Sequence, residues 1–259
     1  MAERTPYLCC PLCESTRTAP SRIGDCSKHP LYHSALNPTI QWMQCLDCSH
    51  TFAEGYYTDE ATSLLFQRTN ANQRVGHAIE ENRDISAKIV DKVLPYASDG
   101  VWLDIGFGNG SLLFTAQEYG FEPVGVDVRA DNVNALKAVG IQAHCANFSD
   151  LTLPIACSVI SMADVLEHMP FPRIGLIAAQ RLLKDGGVLL ISMPNSESIV
   201  WKLLDAHNAN PYWGELEHYH NFSRTRLYAL LRGYRFEPVR YGISDRYRVG
   251  MEVIALKRE

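Results

Sequence analysis

The chain has 259 residues, 46% of them apolar and 20% charged, with a formal net charge of −5. This length suits one large domain or a main domain with a small appendage and excludes a single tiny module. The composition is that of an ordinary globular protein and gives no global pull toward nucleic acid or membrane. No run of about 18 apolar residues marks a membrane span, and "MAERTPYLCC" lacks the apolar stretch of a secretory signal, so a cytoplasmic location is expected. The eight cysteines are then expected as thiols or metal ligands, because the cytosol is reducing.

Six of those cysteines fall in the first 48 residues, a stretch rich in Pro, Ser and Thr. Cys10-Pro-Leu-Cys13 and Cys45-Leu-Asp-Cys48 form two C-x2-C pairs separated by 31 residues. Two such knuckles present four thiolates to zinc and hold together a segment too short for a core of its own. Reduced structural thiols and a redox pair are the competing readings. Cys9, Cys26, His29, His33 and His50 are nearby substitute ligands. The glycine usual after each knuckle is replaced by Glu14 and Ser49. A structural zinc held by four protein ligands keeps no open position for water. Residues 1–56 are therefore expected as a zinc-ribbon-like module, and 57–96 as a helical connector or lid. In the connector, Ile85, Ile89, Val90 and Val93 share one helical face that ends before Pro95.

From Val101 short apolar runs alternate with amphipathic helices. "VWLDI" reads as a buried strand, Ser111–Tyr119 as a helix closed by Gly120, and "EPVGVDV" as a second strand. A helix through Val133, Leu136 and Val139 to Gly140 follows. Then come strands at "IQAHC" and "SVISM", a helix with Ile174, Ile177, Ala178 and Leu182, and the strand "GVLLISM". This alternation predicts an α/β fold with a parallel sheet covered on both faces. The tail adds a helix from Ser223 to Arg232 and two strands, "EPVRYG" and "GMEVIAL", as an antiparallel pair at one edge. Ser223 is the expected cap of that helix, Phe222 its staple to Leu227, and Gly233 its left-handed exit. Cys145 and Cys157 are expected as buried thiols. Arg224 to Arg258 holds eight Arg and one Lys against three acids, which suits an anionic substrate or a solvated basic face.

Gly106-Phe107-Gly108-Asn109-Gly110 joins the first of these strands to its helix. Such a turn lets a ligand approach backbone without meeting a Cβ, while the helix start offers free N–H groups. The dinucleotide fingerprint fails, because its third glycine would fall on Ser111. Asp127 ends the second strand some 20 residues on, where a carboxylate accepts from both hydroxyls of a ribose. Together these favour an adenosine-containing cofactor, without saying which, over a bare tight turn.

"WLDIGFGNGSLL", "VGVDV", "VISMADVLEHMP" and "RLLKDGGVLLISMPN" together resemble the motif series of class I S-adenosylmethionine-dependent methyltransferases. The resemblance covers Val101 to Asn195, and "EHYHNFSRTRLYALLRGYRFEPV" resembles the following segment in small-molecule members. It implies a Rossmann-like seven-stranded, mostly parallel sheet in a methyltransferase domain over residues 97–259. It implies that Asp104, Gly106, Phe107, Gly108 and Gly110 hold the methionine part of S-adenosyl-L-methionine and that Asp127 and Val128 lie at the ribose. Asn147 and Phe148 take the place beside the adenine, with Asn where the family commonly has Asp. Asp164 would face the transferring methyl group.

Methyl transfer from a sulfonium is an in-line displacement governed by positioning, with a base needed only when the acceptor must lose a proton. His168 in "DVLEHMP" and the cluster Glu217-His218-Tyr219-His220 are the candidate bases; packing or capping is the plainer role for each. Trp201, Tyr212 and Trp213 are read as an acceptor-pocket lining or a small hydrophobic lid, with Pro194-Asn195 at the rim. The cysteine segment is similar to zinc ribbons preceding several methyltransferase families, some of them natural-product or sugar-modifying. "CSHTFAEGYY" is similar to the end of a ribbon in a ribosomal RNA guanine methyltransferase group. Residues 1–56 carry four basic against five acidic residues, where RNA binding predicts a basic module. The expected acceptor is a small or glycan-like molecule, anionic in one version. RNA is the second expectation, and a cofactor-binding regulator without turnover the third.

Overall fold

The computed structural model describes residues 4–66, 71–247 and 249–259. Residues 1–3 of the expected ribbon, 67–70 of the connector and Arg248 of the basic tail lie outside the described residues. In chain order the elements are strands β1 (Arg4–Pro6), β2 (Thr18–Asp25), β3 (Thr39–Cys45), β4 (Thr51–Ala53) and β5 (Gly55–Tyr57), then helices α1 (Asp59–Phe66) and α2 (Ile79–Val93). The alternating part follows as β6 (Gly100–Ile105), α3 (Ser111–Glu118), β7 (Phe121–Asp127), α4 (Ala130–Ala138), β8 (Gln142–Cys145), β9 (Cys157–Ala163), α5 (Pro172–Leu182) and β10 (Leu183–Pro194). Helix α6 (Ile199–Ala206), the two-residue β11 (His220–Asn221), α7 (Arg224–Gly233), β12 (Phe236–Ile243) and β13 (Gly250–Lys257) complete the chain.

The contacts divide these elements into two units. One comprises Met1–Arg68, Glu167–Pro172 and Pro194–Leu227; the other comprises Thr69–Leu166, Arg173–Met193 and Tyr228–Glu259. The second unit holds a seven-stranded sheet in the order β12-β13-β10-β9-β6-β7-β8, flanked by helices. β8, β7, β6, β9 and β10 pair in parallel, and β12 pairs antiparallel with β13. Val101, Trp102, Leu103 and Ile105 are all buried along β6, as a continuous apolar run in a central parallel strand requires. Ile89, Val90 and Val93 of α2 pack into the same core as Trp102, Leu113 and Leu136.

The first unit holds a four-stranded sheet, β11-β4-β3-β2, and the antiparallel pair β1-β5. Its core gathers Leu36, Ile40, Trp42 and Ala53 with Leu216 and Tyr219. The indole of Trp42 donates to the carbonyl of Trp213 at 2.9 Å. Gly24 on β2 is required by this approach, because a Cβ there would lie 1.7 Å from that same carbonyl oxygen.

Three local expectations change. Cys145 is exposed while Cys157 is buried, because a residue at the C-terminal end of an edge strand has left the core. Gly233 is still helical, and the left-handed exit falls on Arg235 at φ 60°. Ile174 and Ile177 of α5 are exposed, whereas Leu176, Ala178, Ala179 and Leu182 are buried. That helix turns two leucines and two alanines inward. Ser223 does cap α7, accepting from the amide of Arg226 at 3.1 Å.

Candidate functional site

The glycine turn leaves β6 beside β9, where the order of parallel strands reverses. Ligands of open α/β sheets sit at the carboxyl ends of the strands at such a point. The sheet register sets Asp104 opposite Ser161. Ser161 Oγ donates to Asp104 Oδ1 at 2.5 Å and accepts from the Trp102 indole at 2.9 Å. Asp104 is 4% exposed. Burial pushes its carboxyl up to about 6, with the Ser161 hydrogen bond and the Arg246 charge acting the other way.

Gly106, Gly108 and Gly110 have φ of 61°, 52° and 79°, the left-handed region open to glycine. A Cβ on Gly110 would also lie 2.9 Å from the Phe114 ring. The Phe107 ring belongs to the core, which leaves its backbone to a ligand. Asn109 braces the turn: its Oδ1 accepts from the Ser111 amide at 3.1 Å and its Nδ2 donates to the His77 carbonyl at 2.8 Å. A pocket is lined here by Asn82, Ser86, Asp104, Gly106, Asn109 and Arg246.

Asp127 is 5% exposed and meets an unforeseen partner. Arg129 donates to it from Nε at 2.9 Å and Nη2 at 2.7 Å, and its amide donates to Oδ1 at 2.9 Å. The fork holds the carboxylate plane fixed. Val128 is 61% exposed. Asn147 Oδ1 caps the short turn after it, accepting from the Ser149 amide at 3.2 Å and hydroxyl at 3.0 Å, and Phe148 is buried. Asp164 takes a left-handed φ of 57°, with its amide donating to the Ser192 carbonyl at 2.8 Å.

In the first unit, Cys10, Cys13, Cys45 and Cys48 bring their Sγ atoms within 4.8 Å of one another. The Cys10–Cys48 and Cys13–Cys45 separations are 3.7 and 3.5 Å. Four thiolates at zinc–sulfur distances of about 2.3 Å stand about 3.8 Å apart in a tetrahedron, so the group fits. Glu14 and Ser49 both adopt φ 60°, and their amides donate to the carbonyls of Cys10 and Cys45 at 2.9 Å. The knuckle turn forms without glycine.

The histidines divide in role. His220 Nε2 donates to the Met169 carbonyl at 3.0 Å, and His220 Nδ1 lies 3.0 Å from His50 Nε2. Burial pushes its imidazole down to about 4. Both nitrogens are engaged, which leaves His220 no site for a substrate proton. His168 Nδ1 donates to the carbonyl of Glu217 at 3.1 Å; a carbonyl can only accept, so in the neutral ring the lone pair is on Nε2. The rings of His168 and His218 meet edge to face, centroids 4.7 Å apart. Burial, then the His168 ring, hold the His218 imidazole well below its ordinary range. Glu217 is half-buried. Glu167, passed over in the sequence, is 1% exposed and joins His168 and His218 in one group; a carboxylate next to a candidate histidine was the available signal. Trp201 stacks on Tyr212 and meets Trp213 edge to face, centroids 5.0 and 5.4 Å away. Asp205 accepts from the Trp213 indole at 2.6 Å and from Arg22 at 2.9 Å, so these aromatics pack within the first unit.

Comparison with known proteins gives a match to a family described as Methyltransferase domain over residues 76–241, well over half of the chain. The ubiquinone biosynthesis O-methyltransferase of Psychrobacter cryohalolentis is 29% identical over 106 residues, 36% of this chain and 40% of that protein. That of Nitrobacter winogradskyi is 30% identical over 106 residues, 39% of this chain and 40% of that protein. The chain thus spans about 40% of the length of these relatives. Among solved structures, the 1,6-didemethyltoxoflavin-N1-methyltransferase of Burkholderia thailandensis, with 1,6-didemethyltoxoflavin and S-adenosylhomocysteine bound, superposes with TM-score 0.57 at 18% identity, covering 83% of this chain and 99% of that one. The magnesium protoporphyrin IX methyltransferase of Synechocystis, with S-adenosylhomocysteine bound, gives TM-score 0.53 at 16% identity, covering 74% and 92%.

Proposed function

This chain belongs to the methyltransferase domain family, and from that premise we propose that it transfers a methyl group from S-adenosyl-L-methionine to a small or glycan-like acceptor in the cytoplasm. The observation that carries the reading is the glycine turn at the strand reversal, with buried Asp104 before it and buried Asp127 ending the next strand. Asp104 meets the cofactor ammonium, the turn leaves its backbone open to the methionine part, and Asp127 accepts from the ribose. Arg246 lines the same pocket and makes no ion pair among the described residues; it supplies the counter-charge for the cofactor carboxylate. The basic surplus of the tail favours an anionic acceptor.

The cofactor itself supplies an activated methyl group, and the chain's work is to position and desolvate. His168, Glu217 and His218 are the residues we propose to act on the acceptor; His220 is left out because its ring is fully bonded. The fit of the four thiolates supports a structural zinc at Cys10, Cys13, Cys45 and Cys48, where the ion closes two turns that bury little apolar surface.

Calorimetry with S-adenosylmethionine, S-adenosylhomocysteine and NAD tests the cofactor. Micromolar binding of the first two alone is expected, and binding of NAD instead overturns the reading. An acceptor screen with anionic small molecules, glycans and RNA follows; turnover on RNA alone would replace the acceptor class.

A further inference from the structure

The group formed by Glu167, His168 and His218 lies in the first unit, apart from the four cysteines, and its ligand-capable atoms all lie within 4.8 Å of one another. Backbone hydrogen bonds hold the two contributing segments together. The Tyr219 amide donates to the Glu167 carbonyl at 3.0 Å, and His168 Nδ1 donates to the Glu217 carbonyl at 3.1 Å. The second of these bonds fixes the His168 tautomer with its Nε2 lone pair available. Donation of the other ring N–H to a carbonyl is the support that metal-binding imidazoles regularly have.

His218 is 7% exposed, and its Nδ1 is buried with no hydrogen-bond partner among the described residues. Glu167 is 1% exposed and both its carboxylate oxygens are removed from solvent. We propose that Glu167, His168 and His218 bind a divalent first-row transition cation, zinc or cobalt in class, through one carboxylate oxygen and two imidazole nitrogens.

The donor set argues for that class. Imidazole suits zinc, cobalt and iron, whereas magnesium and calcium prefer all-oxygen shells. Three protein ligands leave one tetrahedral position open, in contrast to the closed four-thiolate group. The open position accepts an exchangeable oxygen ligand, such as a hydroxyl or carboxylate of a small molecule. The site deepens the acceptor-side role given above to His168 and His218, and in that respect rests on that reading. Its existence as a metal site does not depend on methyl transfer.

The test uses the full chain, stripped of metal and reconstituted first with zinc and then with cobalt. Metal analysis is expected to give two zinc ions per chain. Cobalt is expected to bind in two phases, one with thiolate charge-transfer absorption and one with ligand-field bands alone. His168→Gln, at a half-buried position, is expected to weaken the second phase at least about 100-fold, since loss of even a supporting contact to a ligand costs 10–100-fold; Glu167→Gln and His218→Gln should abolish it. Wild-type protein whose only bound ion shows thiolate absorption overturns the proposal. So does a second phase unchanged in His168→Gln. If the two buried variants do not fold, the wild-type titration and His168→Gln decide between them. Calorimetry with S-adenosylhomocysteine on the same samples separates this outcome from failure of the cofactor reading.

Discussion

Asp104 shows how burial sets conditions on binding at the level of one carboxyl. A carboxyl raised to about 6 contributes stability below the ordinary carboxylate range and loses it as pH rises through 6; ionisation at neutral pH costs the free protein about 3 kcal/mol. A cofactor ammonium pairs with the charged form. S-adenosylhomocysteine affinity is therefore expected to fall about tenfold between pH 7.5 and 5, and Asp104→Asn should bind weakly with no such slope while melting higher when free. A flat wild-type profile over that range would refute the assignment. Asp127→Ala is expected to weaken the same ligand by at least about 1.5 kcal/mol through lost charge-assisted contacts; unchanged affinity would put the ribose elsewhere. Arg246→Ala should weaken S-adenosylhomocysteine about tenfold but leave methylthioadenosine, which lacks the carboxylate, unaffected. Equal losses for the two ligands would exclude the carboxylate role. The placement of Asp104 and Asp127 at the ends of β6 and β7 was legible in the sequence, because apolar runs that stop at a glycine turn or an acidic residue mark strand ends. Arg129 and Ser161 were not, since they reach their carboxylates by side-chain length and sheet register; Arg246 was not either, because the connection between β12 and β13 brings it to the pocket.

The knuckles and strands tell the same story for elements. Each C-x2-C turn places a non-glycine residue, Glu14 or Ser49, at φ 60°, a conformation costing about 1–2 kcal/mol for residues with a Cβ. Part of that cost returns as unfolded-state entropy, so Glu14→Gly and Ser49→Gly are each expected to stabilise the zinc-loaded protein by up to about 1 kcal/mol. Chelator-induced unfolding measures the change, and earlier unfolding of either variant would show that the side chain, not the turn, matters. The parallel strands were readable from unbroken apolar runs such as "VWLDI", and helices α3 and α4 from their apolar spacing and the closing Gly120 and Gly140, both at positive φ. The partners of short segments were not: nothing in His220 and Asn221 announces a strand opposite Phe52 and Thr51, because two residues carry no periodicity. Cys145 was misplaced for a related reason, its apolar neighbours giving no sign that the strand ends at the sheet's edge.

For the whole molecule, the chain passes between its two units five times. The first unit's core takes Leu36, Ile40 and Trp42 from one segment and Leu216 and Tyr219 from another. The segment expected as a separate module over residues 1–56 thus shares its core with a later segment. Protein lacking residues 1–56 is expected to aggregate, because Leu216 and Tyr219, now 0% and 7% exposed, lose their cover. Light scattering on the shortened protein checks this; a monodisperse species with normal S-adenosylhomocysteine affinity would show that the later segments pack on their own.

The strand β11 gives the fold a timetable during synthesis. Its pairing partner β4 leaves the ribosome early, yet His220 and Asn221 follow about 160 residues after Tyr57. At about 5–20 residues per second this separation lasts about 8 to 30 seconds. Throughout that interval the edge of β4 has no neighbour on one side, and the nascent cysteine segment waits with an open flank on which another strand could pair.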